Sequence, residues 1–162
     1  MNGELLSNLL TVFVYLVHHG DAVSAAVDSQ RPLSGQGREQ VEALAKQAVT
    51  QQVRPAVIWH SGKLRARQTA LAFWRACNPL AEFAATRWMQ PDDPPQLVDL
   101  LQGETRDVML VGHMPHLDRL LRQLTQTDDE PRARWFPPKG VVAVERTETG
   151  WVERWRLENL PL

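Results

Sequence analysis

Val12-Phe13-Val14-Tyr15-Leu16-Val17, closed by His18-His19-Gly20, is a continuous run of aliphatic and aromatic side chains without a polar break. Such a run suits a strand buried on both faces at the centre of a parallel sheet. Beyond it, Ser34 stands as an N-cap before Val41, Leu44, Ala45, Ala48 and Val49. These recur at i, i+3, i+4, i+7 and i+8, which is one face of a helix. Residues 56–59 (AVIW), after Pro55, read as a second strand and residues 64–75 as a second helix. Pro91, Pro94 and Pro95 mark a rigid loop, with Pro95 opening a short helix through Leu101. Residues 108–111 (VMLV) form a third apolar strand, ended by Gly112-His113. A helix follows from near Pro115, carrying Leu117, Leu120, Leu121 and Leu124 on one face. After a charged loop over 128–134, residues 141–146 and 151–157 read as strands joined around Thr149-Gly150, a hairpin signal. The expected fold is α/β: a three-layer α/β/α sandwich with a mostly parallel central sheet and an antiparallel edge hairpin.

The chain has 162 residues, a length suited to one domain, expected to span 1–162 with residues 1–11 as an N-terminal extension. Hydrophobic residues at 43% and charged residues at 23% are those of a globular protein and exclude a disordered or collagenous chain. Eighteen Lys plus Arg against nineteen Asp plus Glu leave a net charge of -1. With no bulk positive field, nucleic acid and anionic membranes are not expected partners. Three of the eighteen cations are lysines (Lys46, Lys63, Lys139) and the rest arginines, the residue suited to gripping oxyanions with two donors. Cys77 is the single cysteine, so an internal disulfide and a zinc site of paired thiolates are excluded, and a reducing cytoplasm is the expected location. The apolar start over 5–17 is broken by Ser7, Asn8 and Thr11 with no basic residue before it, which reads against a signal peptide. It is also too short to span a bilayer.

Open α/β sheets bind ligands at the carboxyl ends of their strands. Three expected strands end there in polar residues: His18-His19-Gly20, His60-Ser61-Gly62 and Gly112-His113. Histidine supplies a nitrogen nucleophile at neutral pH, and arginine or further imidazoles can neutralise phosphoryl oxygens as charge spreads over them. His19, Arg65 and His113 offer that set.

At these residues the chain resembles the histidine phosphatase superfamily, the phosphoglycerate-mutase-like fold. Residues 16–20 (LVHHG) are similar to the family's strand followed by Arg-His-Gly, with His19 in the nucleophile position. Residues 61–69 (SGKLRARQT) look like its Ser-x-x-x-Arg-Ala-x-Gln-Thr, with Arg65 as the phosphate arginine, and residues 111–115 (VGHMP) match its strand-end histidine, His113. Within the superfamily the chain is most like the small SixA-type phosphohistidine phosphatases, because Gly20-Asp21-Ala22 and Arg31-Pro32-Leu33-Ser34 with Gly37 recur there. The resemblance implies a phosphatase that needs neither metal nor other cofactor and forms a covalent phosphohistidine on His19. It also implies that Arg31 reaches the phosphate, and that the partner is a phosphorylated small molecule or a phosphohistidine-bearing protein.

The main departure is His18, which stands where the family has arginine. A neutral imidazole has one donor, so the phosphate clamp is expected to be weaker, with activity rising toward acid pH as His18 protonates and His18→Arg raising turnover. No motif fixes a general acid; Asp92 and Asp93 in the proline loop are candidates, and Asp21 is a third. Two alternatives stand beside the phosphatase: a phosphate-binding module with weak or no catalysis because of His18, and a metal hydrolase built on His18, His19, His113 and His116. The second lacks carboxylate ligands at a recognisable spacing.

Overall fold

The computed structural model describes residues 11–128 and 135–159. In chain order the elements are β1 (Val12–His18), α1 (Gly35–Thr50), β2 (Val57–His60), α2 (Leu64–Cys77), β3 (Glu82–Ala85), α3 (Leu97–Gln102), β4 (Val108–Gly112), α4 (His116–Thr125), β5 (Val141–Thr147) and β6 (Gly150–Leu157). They build one six-stranded sheet in the order β3-β2-β4-β1-β5-β6. The pairs β3/β2, β2/β4 and β4/β1 are parallel, whereas β1/β5 and β5/β6 are antiparallel.

The alternation of side chains along the strands divides the interior in two. Val12, Val14 and Leu16 of β1 join Val108 and Leu110 of β4 on the face covered by α3 and α4, through Leu97, Leu101, Leu117 and Leu120. Tyr15, Val17, Ile58, Met109 and Val111 point the other way, against Val41, Leu44 and Ala48 of α1 and Ala66, Ala70 and Phe73 of α2. The expected three layers are therefore present, with β1 central because both its faces are apolar.

Beside shifts of one or two residues at several element ends, two features differ from expectation. The short helix begins at Leu97 after Gln96, while Pro95 lies in the preceding turn, its carbonyl accepting the Val98 N–H at 3.3 Å. Strand β3 carries no expectation in the sequence, since Glu82–Ala85 is half exposed and its apolar run is only Phe83-Ala84-Ala85; it is held at the edge by its ladder with β2. The charged loop falls mostly on residues 129–134, outside the described residues, as do residues 1–10 of the expected extension. Among the described residues no helix is long and apolar enough to cross a membrane.

Parallel order places the carboxyl ends of β2, β4 and β1 side by side, with His18 opposite Gly112 and His60 opposite Val111. Strand β5 runs the other way, so it begins where β1 ends: Val17 pairs with Val141, and the His18 N–H donates to Gly140 O at 3.1 Å. Four strands thus contribute to one edge.

Candidate active site

The turn after β1 is tied on every side. The His19 N–H donates to Gly112 O at 3.1 Å, and the Gly20 N–H donates to Thr69 Oγ1 at 3.0 Å. The Thr69 hydroxyl in turn donates to Arg65 O at 2.8 Å, so the nucleophile turn and the first turn of α2 share one fully buried side chain. A Cβ at Gly20 would run into Val41 of α1, which is why the backbone there must be glycine. Asp21 O accepts the Ser34 N–H at 2.9 Å, and Asp21 Oδ2 accepts the Ser34 hydroxyl at 2.7 Å. Ser34 Oγ itself caps α1 by accepting the Gly37 N–H at 2.9 Å.

His19 Nδ1 lies 2.7 Å from Gly20 O. A carbonyl can only accept, so Nδ1 carries the proton and Nε2 keeps a lone pair. Its ring centre is 4.7 Å from that of His18 and 4.9 Å from that of His113, so three imidazoles meet at the joint end of β1 and β4. Burial lowers the His19 pKa to about 4, opposed by the Gly20 bond and helped by the charges of Arg65, Lys139 and Arg31. Burial likewise holds His113 at about 3, with His19, Arg65, Lys63 and His18 adding to it. The site is a set of neutral rings in a cationic field.

His113 is 2% exposed, and its Nε2 is 2.6 Å from Ser61 Oγ. Ser61 Oγ also accepts the Lys63 N–H at 3.4 Å; with one proton and two lone pairs, the hydroxyl can pair with His113 Nε2 as donor or as acceptor. His113 Nδ1, like Arg65 Nε, is buried without a hydrogen-bond partner among the described residues. Arg65 feels burial and the nearby Arg31, which both lower its pKa. Arg31 sits at φ 50° with its Nε donating to Val23 O at 3.1 Å.

His18 corrects one expectation. Its Nδ1 accepts the backbone N–H of Lys139 at 2.7 Å, and burial, His19 and Lys139 lower its pKa to about 3. A proton on Nδ1 would face an N–H, so this ring is locked as a neutral Nε2–H donor rather than poised to charge in mild acid. The carboxylates are dispersed. Asp92 is exposed, Asp93 Oδ2 closes its own turn by accepting the Gln90 N–H at 2.8 Å, and Asp21 is engaged by Ser34. The Asp93 charge acts on His116, which is fully buried with neither ring nitrogen partnered among the described residues. Among the described residues no three His, Cys, Asp or Glu side chains gather as metal ligands.

Sequence reasoning left Thr69, Ser61 and Lys139 without a site role. Thr69 and Ser61 lie inside the quoted 61–69 stretch and were legible as part of it, whereas Lys139 has no local signal.

The family model for the histidine phosphatase superfamily (branch 1) matches residues 14–88. No curated protein matches the chain. A solved structure assigned as the phosphohistidine phosphatase SixA from Agrobacterium tumefaciens is similar at 26% identity and a TM-score of 0.72, covering 90% of this chain and 97% of its own. The protein histidine phosphatase SixA complexed with tungstate has 23% identity and a TM-score of 0.76, over 91% and 97%. A mycobacterial glucosyl-3-phosphoglycerate phosphatase shares the fold at 14% identity and a TM-score of 0.66, over 93% and 100%. The resemblance to the histidine phosphatase superfamily and its SixA-type members is borne out, and the family-model match and the structure at 26% identity support a phosphatase.

Proposed function

We propose that this chain, similar to the histidine phosphatases over 14–88 and folded as the SixA-type proteins are, moves a phosphoryl group from its substrate onto Nε2 of His19 and then to water, without a resident metal. The observation that carries the proposal is the 2.7 Å bond from His19 Nδ1 to Gly20 O, which keeps the Nε2 lone pair available. The lone pair forms a bond to phosphorus as the bond to the leaving group breaks. The leaving group departs with the bonding pair and takes a proton from water, which suits a moderately basic imidazole better than an alkoxide. Water then attacks phosphorus, the P–Nε2 bond breaks, its electron pair returns to the ring, and orthophosphate leaves. Arg65 and Arg31 neutralise the equatorial oxygens, while Nε2–H of His18 and an N–H of the neutral His113 ring add donors.

The substrate class that fits is phosphohistidine, on a protein or as a small phosphoramidate, with small phosphomonoesters second. The proposed setting is the cytoplasm, consistent with Cys77 as a buried free thiol. A second reading, an oxyanion-binding module with little turnover, is favoured by one observation: the lock on His18 removes a cation the resemblance leads one to expect.

Trapping the phosphoenzyme without acid, using a phosphoramidate substrate, separates the two. Wild type should label on His19, and His19→Ala should not, with turnover below about a thousandth of wild type. No label in either protein, together with retained tungstate binding, would overturn the transfer reading in favour of the binding module.

A further inference from the structure

We propose that Lys139 is an oxyanion-binding residue of this site, its ammonium holding a phosphoryl oxygen on the flank where His18 offers a single neutral N–H. The inference rests on the oxyanion-binding part of the reading above. Strand β5 brings Lys139 to the site because it is antiparallel to β1 and starts beside the strand end that bears the nucleophile. The backbone there is clamped twice to His18, by the Lys139 N–H on His18 Nδ1 at 2.7 Å and by Gly140 O on the His18 N–H at 3.1 Å. A third bond, from the Gly140 N–H to Pro137 O at 3.0 Å, closes the turn in which Lys139 adopts φ 54°. The position of its Cα is therefore as fixed as the strand.

Its side chain is not so confined. Nζ is 3.9 Å from Asp21 Oδ1, at the long end for an ion pair, and the side chain is 32% exposed. The other oxygen of Asp21 is taken by Ser34. An ammonium with three donors and one long contact has donors to give, whereas charge-assisted bonds to phosphate oxygens close to about 2.7–2.9 Å. The backbone bond to His18 and the Nζ contact with Asp21 keep the Lys139 charge at the strand end bearing His18 and His19, and it acts on both rings. A phosphoryl group at His19 would thus be held by Arg65 from the start of α2, by Arg31 from the loop before α1 and by Lys139 from the β5 side.

Lys139→Met keeps the stem length and the backbone N–H that holds His18, and Lys139→Arg keeps the charge. The measurements are the tungstate Kd by calorimetry, the single-turnover rate of His19 phosphorylation, kcat and KM separately, and Tm. The Met variant should bind tungstate about 10-fold or more weakly and slow phosphorylation by a similar factor, as loss of a charged hydrogen bond predicts. The Arg variant should stay within about 3-fold of wild type, and both should melt within about 2 °C of it. Wild-type tungstate affinity in the Met variant would overturn the proposal, as would an Arg variant as impaired as Met. Because tungstate binding is read apart from phosphoenzyme formation, a wild type that never labels would sink the transfer reading, while a Lys139-dependent Kd would still uphold this one.

Discussion

At the scale of single residues, His18 decides how the site responds to pH. Its acceptor role toward the Lys139 N–H opposes protonation, and burial holds all three imidazoles well below the ordinary histidine value. The nucleophile works as a neutral ring with a pKa of about 4, so its competent fraction is complete at neutral pH and is lost as pH falls through that value. The single-turnover rate should therefore stay level from about pH 8 to 5.5 and decline only toward pH 4. A rate that climbs toward pH 5.5 would restore the expectation of a charging His18. The same contact gives His18→Arg two opposed effects. A guanidinium offers the transferring group a charge-assisted grip worth about 1.5–3 kcal/mol, but it cannot accept the Lys139 N–H, whose desertion costs about 1–3 kcal/mol of stability. The variant should gain about 10-fold or more in kcat/KM while its Tm drops by about 2–4 °C per kcal/mol lost.

Among the elements, the start of α1 sets the nucleophile turn. Ser34 caps the helix and holds Asp21 through both its N–H and its hydroxyl, and a Cβ on Gly37 would run into the Asp21 carbonyl. Gly37→Ala should therefore push Asp21 and the adjoining Gly20 away, costing about 1–3 kcal/mol in urea unfolding and at least about 10-fold in kcat/KM. Gly35→Ala, with open space around it at the same helix end, should do neither; equal losses in both variants would mean that helix propensity rather than the Asp21 contact is at work. The same elements show why the sequence is legible in part. Strand β1, strand β4 and helices α1, α2 and α4 announce themselves because burial on two faces or one stripe forces an apolar pattern. The hairpin is legible through Gly150, whose φ of 136° only glycine adopts readily. Strand β3 escapes because an edge strand with a half-exposed pattern needs only backbone pairing. The histidines and Arg65 are readable because strand ends and a helix start carry them in tight motifs. Lys139 is not, since it reaches His18 through antiparallel pairing across a sequence separation of 121 residues.

For the whole molecule, concentrating neutral imidazoles at one sheet edge has a thermodynamic consequence. In the unfolded chain each histidine protonates near its ordinary value of about 6.5, whereas His18, His19 and His113 stay neutral in the fold down to about 3 or 4. Between those limits the unfolded state binds more protons, so stability is greatest above about pH 6.5 and is lost as the solution is acidified toward pH 4. Each ring contributes at most about 1.4 kcal/mol per pH unit in that window. The urea midpoint of the ligand-free protein should therefore fall steeply from pH 7 to pH 5. His18→Asn isolates one share of the slope, because an amide oxygen can still accept the Lys139 N–H but cannot titrate. Its unfolding free energy should depend on pH less steeply than that of wild type by nearly one proton. Parallel slopes in the two proteins would mean that His18 is not held neutral by the fold, and with it would go the account of a site assembled from uncharged rings inside a cationic frame.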